Sequence, residues 1–157
     1  MRGRRLHRPL GRGGPGVTGT PTTLRGRCVV PGRAEGPALV TRMHISGWGG
    51  IDSRTGTIVE THHELRGQSF AGKVLVFPGA KGSSGWSNAF HLTRHFGCAP
   101  AALLFVETTT KVALGAVVTR APAMTDFDGD VLAAIRTGDW VTVDADSGVV
   151  TIQGDRP

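Results

Sequence analysis

The sequence predicts an α/β domain in which strands outnumber helices and one βαβ unit is embedded among hairpins. Two short apolar runs, residues 74–77 and 101–106, have the aliphatic and aromatic content of buried strands. Between them lies a glycine-rich turn, followed by a segment whose apolar residues recur with a helical period. Strand, turn, helix and strand in this order form a βαβ unit, in which the strands are parallel and the turn follows the carboxyl end of the first.

The helix of this unit is predicted from about Ser84 to Phe96. Its apolar residues fall largely on one side of a helical repeat, and its polar residues fall largely on the other. The apolar side comprises Trp86, Ala89, Phe90, Leu92 and Phe96. Gly97 is suited to ending the helix, and Pro100 lies just beyond it, where a helix cannot continue.

The turn from Gly79 to Asn88 is the best candidate for chemistry in the chain. Unpaired N–H groups in the first turn of a helix carry partial positive charge, which favours a carboxylate, a phosphate or an alkoxide there. Ser83 and Ser84 place hydroxyl groups beside those amides, and the glycines allow a ligand to approach the backbone. The alternative is that one of the serines is simply the N-cap and that the glycines are turn residues.

Two well-known motifs do not fit this turn. Lys81 precedes Gly82, whereas a phosphate-binding Walker loop needs Gly-Lys-Ser/Thr. No serine in the turn has a glycine two residues before it and another two residues after it, so the hydrolase nucleophile elbow is absent. ATP binding and serine hydrolysis therefore both lose support.

The other elements are predicted from shorter patterns. Strands are expected at residues 25–30, 37–41, 57–60, 140–143 and 149–152, a buried element at 112–119 and a short helix at 130–136. The first two strands flank a turn at 31–36, and the last two form a hairpin whose loop acids are turn formers. Trp48, which stands among three glycines, is expected to fill the core at a tight corner rather than to face a ligand.

Charge is unevenly distributed along the 157 residues. The formal net charge is +6, and residues 1–22 account for +5 of it with five arginines and no acid. The other 13 basic and 12 acidic residues leave +1, so the globular part lacks the footprint of a nucleic-acid-binding protein. Residues 1–22 are poor in apolar residues and rich in Arg, Gly and Pro, which predicts a disordered arm.

The sequence also predicts a cytoplasmic protein that binds no metal. It has neither an apolar secretion signal nor a run long enough to span a membrane. Cys28 and Cys98 stand alone, without a CxxC or any other cluster spacing, and we interpret them as reduced thiols in the core.

Two pairs of histidines are candidate metal ligands. His62 and His63 are adjacent, and neighbouring side chains on an extended chain point in opposite directions. His91 and His95 share a helix face, but neither a third ligand nor a general base accompanies them. Neither pair therefore predicts a metal site.

Several separate motifs occur in order along the chain. They are Gly47-Trp48-Gly49-Gly50-Ile51-Asp52, Thr55-Gly56-Thr57-Ile58, the run from His63 to Val76, Lys81-Gly82-Ser83-Ser84, Ala99-Pro100-Ala101-Ala102, Gly138-Asp139-Trp140-Val141-Thr142-Val143-Asp144 and Gly148-Val149-Val150. Together they resemble the small, swivelling subunit of aconitase X. The resemblance runs from about Gly26 to Ile152, and it indicates a swivel domain at residues 24–153.

The resemblance implies a swivelling β/β/α domain that docks on a larger subunit, which carries an iron–sulfur cluster or iron and most of the pocket. The implied activities are dehydrations, either of mevalonate 5-phosphate or of cis-3-hydroxy-L-proline. The family's catalytic serine falls on Ser83, and the implied substrate-binding residues are Lys81, Gly82, Ser84 and Gly85. In the better-known aconitases an arginine follows the serine pair where this chain has Gly85, so a substrate-clamping cation has to come from Lys81 or from the partner chain.

The chemistry of dehydration agrees with the turn. Removing water from a β-hydroxy acid requires a base for the proton and an acid for the departing hydroxyl. A serine is a weak base unless its alkoxide is stabilised, and a helix N-terminus with nearby cations can stabilise it. We therefore predict that Ser83 accepts the proton and that the amides around Ser84 and Gly85 stabilise its anion.

The substrate and the partners follow from the same resemblance. The arginine-rich composition and the near-neutral globular part favour a bacterial setting, and with it cis-3-hydroxy-L-proline over mevalonate 5-phosphate. The predicted partners are the large subunit and a small hydroxy acid, without nucleic acid or membrane. Three other classes stay open: a non-catalytic regulatory or scaffold module, a carrier of phosphate on His62 or His63, and nucleic-acid binding by residues 1–22.

Overall fold

The computed structural model describes residues 20–155, which form twelve strands and three helices. In chain order they are β1 (Thr22–Arg25), β2 (Arg27–Val30), β3 (Arg33–Val40), β4 (Ile45–Ser46), β5 (Ile51–Asp52), β6 (Thr57–Ile58), β7 (Val74–Phe77), β8 (Ala80–Lys81), α1 (Trp86–His95), β9 (Ala102–Phe105), α2 (Thr110–Thr119), β10 (Ala123–Thr125), α3 (Val131–Ala134), β11 (Asp139–Asp144) and β12 (Val149–Asp155). No helix among these residues is both long enough and apolar enough to cross a membrane.

Eight of the strands form a mixed sheet that nearly closes on itself. Its order is β1-β12-β11-β3-β7-β9-β10-β2, so β1 and β2 lie at opposite edges although Gly26 alone separates them in the chain. The Gly26 N–H donates to the Gly148 carbonyl at 3.0 Å, and a Cβ on Gly26 would lie 2.8 Å from the Thr125 carbonyl oxygen. The edges therefore approach each other at a glycine, because a side chain there would collide with the backbone.

Half of this sheet is parallel. β3, β7, β9 and β10 pair in parallel, α1 connects β7 to β9, and α2 connects β9 to β10. The predicted βαβ unit is confirmed, with Val74 opposite Ala102 and Phe77 opposite Phe105. The other half is antiparallel, and it contains the predicted hairpin of β11 and β12.

Alternating side chains on the parallel strands separate two cores. Val74 and Val76 join apolar residues of β1, β3, β9, β10, β11, β12 and α3 on one face of the sheet. Leu75 and Phe77 pack on the other face with residues of α1 and α2. All four side chains are fully buried, which explains why β7 is apolar at every position. The predicted α/β class, a β/β/α domain with an embedded βαβ unit, is confirmed.

The core beneath the helices centres on Trp86, the first residue of α1. Its ring lies 4.2 Å from the Phe90 ring and 6.2 Å from the Phe77 ring, measured between centroids. Its Nε1–H donates to the Ile45 carbonyl at 2.9 Å. A Cβ on Gly115 of α2 would lie 2.2 Å from a ring carbon of Trp86. The glycine therefore lets α2 lie directly on the indole.

Several boundaries differ from the predicted ones. β3 begins at Arg33, inside the turn predicted at 31–36, because its first residues pair with β11. β2 pairs with β10 rather than with β3. The strand predicted at 57–60 is reduced to Thr57–Ile58, which pairs with β5.

The arm predicted for residues 1–22 is only partly covered by the structure. Thr22 already belongs to β1, where it pairs with Ile152 of β12, so regular structure begins before residue 24, the predicted start of the swivel domain. Residues 1–19 lie outside the described part of the chain.

Two side chains predicted to be in the core are exposed. Trp48 is 56% exposed, because Trp86 fills the apolar space beneath the helices. Cys28 is exposed on β2, the edge strand, whereas Cys98 is buried as predicted. Burial raises the pKa of the Cys98 thiol, and the charge of Asp52 raises it further.

Gly115→Ala is expected to destabilise the domain, although alanine favours a helix over glycine by about 1 kcal/mol. The added methyl group would overlap the buried Trp86 ring, and overpacking a core costs about 1–3 kcal/mol. Urea unfolding should therefore give a lower free energy of unfolding. The control Leu114→Ala changes a side chain that is 49% exposed, and it should shift stability by less than about 0.5 kcal/mol. A Gly115→Ala protein as stable as the wild type would contradict the close contact.

Candidate functional site

The candidate site lies where the parallel strands end. The connections after β3, β7 and β9 leave the sheet at the carboxyl ends of its parallel strands, which is where α/β folds commonly bind ligands. Gly79 belongs to the connection after β7, and it lies between the connections that follow β3 and β9. A Cβ on it would be 3.2 Å from Glu107, which follows β9, and 3.5 Å from the His44 ring, which follows β3. Three segments that are distant in sequence thus share one surface.

The loop Gly82-Ser83-Ser84-Gly85 joins β8 to α1. Both serines are exposed. The N-cap of α1 is Gly85, and no side chain caps this helix, so the alternative in which a serine is the N-cap is wrong. The Gly85 N–H instead donates to Ser83 Oγ at 3.4 Å, and the Trp86 N–H donates to the Ser83 carbonyl at 3.2 Å. The Ser83 hydroxyl therefore lies at the positive end of α1.

Two Gly-Trp dipeptides, Gly47-Trp48 and Gly85-Trp86, hold this loop against the chain that precedes it. A Cβ on Gly85 would lie 2.1 Å from the Trp48 indole, and a Cβ on Gly47 would lie 2.6 Å from the Trp86 Cα. Each glycine is thus covered by the tryptophan of the other pair. Trp48 forms one wall of the serine loop, and this position accounts for its exposure.

Lys81 is paired with a carboxylate. Its Nζ lies 2.5 Å from Oε1 of Glu60, while Oε2 of Glu60 is buried without a hydrogen-bond partner. An anionic substrate would compete with Glu60 for this ammonium group. Binding of substrate by Lys81 therefore stays a prediction.

A second lysine reaches the loop from α2. Nζ of Lys111 donates to the carbonyl oxygen of Gly82. Gly82 has a φ of +94°, which favours glycine. Sequence reasoning missed Lys111, because nothing near it in the sequence indicates the serine loop. The signal that could have found it is its place in the first turn of α2, the helix that follows β9 and so begins at the same edge of the sheet as α1.

Two further carboxylates contribute to this edge of the sheet. Oε2 of Glu107 lies 2.8 Å from Nε2 of His44. Oε1 of Glu64 accepts hydrogen bonds from the Thr41 hydroxyl and, at 2.9 Å, from the Arg42 N–H. These hydrogen bonds lower the pKa of the Glu64 carboxyl, and the bond from Thr41 has the largest effect. Glu64 therefore holds the chain in place where it leaves β3.

The described residues do not offer a metal site. Within residues 20–155, no group of three or more His, Cys, Asp and Glu side chains is arranged to hold a metal ion. His91 and His95 are both exposed on α1. His62 is exposed, whereas His63 is buried and its Nδ1 accepts the Leu65 N–H at 3.1 Å. The two histidine pairs thus do not form a ligand set.

The sequence is similar to a known family along most of its length. The family model of the aconitase X swivel domain matches residues 23–152. The phosphomevalonate dehydratase small subunit of Archaeoglobus fulgidus is 44% identical over 126 residues, which are 80% of this chain and 95% of that protein. The protein of the same name from Thermococcus kodakarensis is 42% identical over 132 residues, which are 84% of this chain and 97% of that protein.

Solved structures have the same fold. The crystal structure of Thermococcus kodakaraensis aconitase X in its holo-form matches with a TM-score of 0.79 and 40% identity, over 83% of this chain and 98% of that chain. The solution NMR structure of a UPF0107 protein matches with a TM-score of 0.76 and 42% identity, over the same shares of the two chains. Identity and coverage at this level show a family as well as a fold.

Glu64→Gln is expected to lower the free energy of unfolding at pH 7 by about 1 kcal/mol, the scale of hydrogen bonds to a partly exposed charge. Because the pKa of Glu64 is lowered in the folded state, this stabilisation is present above the ordinary carboxyl pKa of about 4.3. It should disappear as the pH falls through the lowered value. Urea unfolding at pH 7, 4 and 3 measures the difference, and a difference that grows towards acid would contradict the assignment. The control Glu35→Gln removes the charge from an acceptor of longer hydrogen bonds, at 3.3 and 3.5 Å, and should change the free energy of unfolding less.

Gly85→Ala is expected to displace the Trp48 indole, because the new methyl group would occupy its place. The three tryptophans give three indole N–H signals in a ¹⁵N–¹H spectrum, and Trp48→Phe and Trp140→Phe assign them. The Trp48 signal should move most, while the Trp86 signal, held by the Ile45 carbonyl, should move little. The control Asn88→Ala should move none of them substantially. An unchanged Trp48 signal in Gly85→Ala would refute the packing.

Proposed function

This chain belongs to the aconitase X swivel-domain family, and from this membership we propose that it is the small subunit of a dehydratase that acts on mevalonate 5-phosphate. In this proposal Ser83 accepts the proton, and Lys81, Gly82, Ser84 and Gly85 line the substrate. The observation that carries it is the position of Ser83 Oγ, exposed at the N-terminus of α1 with the Gly85 N–H directed at it at 3.4 Å.

The proposed substrate differs from the one that the sequence favoured. Composition favoured cis-3-hydroxy-L-proline, with mevalonate 5-phosphate as the alternative. Two relatives that match at 44% and 42% identity are named phosphomevalonate dehydratase small subunits. Overall composition reflects the setting of a protein more than its pocket, so the relatives carry more weight.

The charges at the site support a phosphorylated substrate. α1 and α2 both begin at the carboxyl edge of the sheet, and neither has an acidic residue in its first turn. Lys111 and Arg42 add cationic side chains at the same edge. Mevalonate 5-phosphate carries a carboxylate and a phosphate, whereas cis-3-hydroxy-L-proline is a zwitterion without net charge. The trianion therefore gains more from two helix N-termini and nearby cations.

Ser83 is suited to remove a proton once its oxygen is anionic. A β-hydroxy acid loses a proton from the carbon next to the carboxylate and a hydroxide from the following carbon. Ser83 Oγ takes that proton in our proposal, and the Gly85 N–H and the dipole of α1 stabilise the alkoxide before transfer. The exposed loop leaves this oxygen accessible to a substrate held between two chains.

The rest of the reaction is expected from the large subunit. The departing hydroxyl needs an acid, and we expect an iron–sulfur cluster or iron on the large subunit to supply it. Most of the substrate pocket is also expected there, so this chain would be active only in the complex. Its cytoplasmic location and the absence of nucleic-acid and membrane partners stay predictions from the sequence.

The alternative classes are less well supported. A phosphate carrier needs an accessible histidine, and His63 is buried, which leaves His62. A non-catalytic module would have no need for an exposed serine at a helix N-terminus. The proposed nucleic-acid contact falls mainly on residues 1–19, outside the described part.

Ser83→Ala is expected to lower turnover of mevalonate 5-phosphate by at least about 100-fold in the complex with the large subunit, the usual effect of losing a general base. The assay is run anaerobically with iron, with cis-3-hydroxy-L-proline in parallel. Ser84→Ala is the comparison variant: this exposed serine is predicted to line the substrate but does not receive the Gly85 N–H, so its loss should lower turnover much less than the loss of Ser83.

The possible results separate the parts of this proposal. Turnover of cis-3-hydroxy-L-proline alone would overturn the proposal of mevalonate 5-phosphate as the substrate. An active Ser83→Ala complex would overturn the proposal that Ser83 is the base. Failure of the chain to co-purify with the large subunit would favour the regulatory module.

A further inference from the structure

We propose that Lys111 is a positioning residue for this dehydration, which holds the serine loop through the Gly82 carbonyl and places an uncompensated positive charge beside Ser83. The inference rests on the proposed role of Ser83. Its starting point is the hydrogen bond from Lys111 Nζ to the Gly82 carbonyl oxygen, one peptide bond away from Ser83.

The surroundings of Lys111 leave its charge without a counterion. In the described part of the chain, no carboxylate forms an ion pair with Lys111, whereas Lys81 is paired with Glu60 at 2.5 Å. Glu107, four residues before Lys111 in the chain, contacts His44 at 2.8 Å instead. Lys111 is therefore better placed than Lys81 to act on an anion in the loop.

The stability of α2 does not explain a lysine at this position. Lys111 is the second residue of the helix, where the macrodipole opposes a positive charge. The first turn contains no acidic residue that would offset this cost. A residue that opposes its own helix, and that reaches another loop instead, indicates a role outside that helix.

The choice of lysine over arginine points the same way. The 18 basic residues of the chain are 15 arginines and three lysines. Lys81 and Lys111 both belong to the site, and Lys73 lies just before β7 at the opposite edge of the sheet. The ammonium group is a compact point charge that suits contact with a single oxygen, whereas the guanidinium fork suits paired acceptors.

Two physical effects on Ser83 follow from this contact. The hydrogen bond fixes the peptide between Gly82 and Ser83, which keeps Oγ near the Gly85 N–H. The ammonium charge favours the anionic form of a nearby acid, as opposite charges do within a few ångströms. In this proposal α2 supplies a cation that acts on Ser83, and the substrate-clamping cation stays a prediction for Lys81 or the partner chain.

Ser83→Cys allows this effect to be measured without turnover. The pH dependence of alkylation of the full chain gives the pKa of the introduced thiol, and peptide mass spectrometry separates it from Cys28 and Cys98. We expect a pKa below the ordinary value of about 8.5, and an increase of about 0.5–1 unit when Lys111→Met is added. Adding Lys73→Met instead should leave the pKa unchanged. The same pKa with and without Lys111→Met would overturn the proposal.

Turnover by the complex with the large subunit tests the same effect in the reaction. Lys111→Met should lower kcat by about 10–100-fold, while KM changes by less than about threefold, because the charge acts on Ser83 in the transition state. Lys111→Arg keeps the charge and should recover most of kcat. Lys111→Gln keeps an N–H donor for Gly82 without the charge, and it should not. Equal activity of Lys111→Gln and Lys111→Arg would refute the electrostatic role.

The two measurements separate this inference from the function on which it rests. A wild-type complex without activity on either substrate would count against the proposed function, while the thiol pKa would still decide the role of Lys111. An active wild type with an unimpaired Lys111→Met complex would count against Lys111 alone.

Discussion

The parallel pairing of β7 with β9 is the constraint on which the candidate site depends. Parallel neighbours end at the same edge of a sheet, so the helices that follow them both begin there. The register runs from Val74 opposite Ala102 to Phe77 opposite Phe105, and these four side chains are fully buried, so it cannot slip without exposing apolar surface. A serine at the start of one helix and a lysine at the start of the next are thereby placed at one loop.

Close backbone packing then determines the shape of that loop. Its own hydrogen bonds are few and long, at 3.4 Å to Ser83 Oγ and 3.2 Å to the Ser83 carbonyl. The stronger restraint is steric, because Gly85 lies against Trp48 and Gly47 lies against the backbone of Trp86. Rigid neighbours allow a loop to stay exposed and still hold one geometry. Glycine at these two positions is thus a packing requirement rather than a source of flexibility.

Sequence patterns predicted the parts of the fold that depend on local burial. The run at 74–77 is apolar at every position because both faces of the sheet are covered there. The glycine and proline residues that flank this run define the ends of the strand. The helical pattern located α1 and placed Phe96 on its apolar side, but the Phe96 ring is 44% exposed at the end of the helix. The prediction that Trp48 fills the core at a glycine-rich corner is wrong, since no sequence pattern says which of two tryptophans fills a cavity. Lys111 was missed because only the tertiary pairing of strands brings it to the loop.

Because Ser83 is exposed, this chain by itself produces only a small part of the electrostatic stabilisation. In water, two unit charges 4 Å apart interact by about 1 kcal/mol, and at the lower effective dielectric of a partly covered site by about 4 kcal/mol. Lys111 and the N-terminus of α1 therefore favour an alkoxide weakly while the loop faces solvent, and several times more strongly once it is covered. Trp48, 56% exposed, lies beside this polar loop, and Val106, 48% exposed, directly follows β9 at the same edge of the sheet. Apolar surface in such a place loses contact with water when another chain docks. Docking of the proposed large subunit would thus complete the pocket and, by excluding water, make Ser83 basic enough to react.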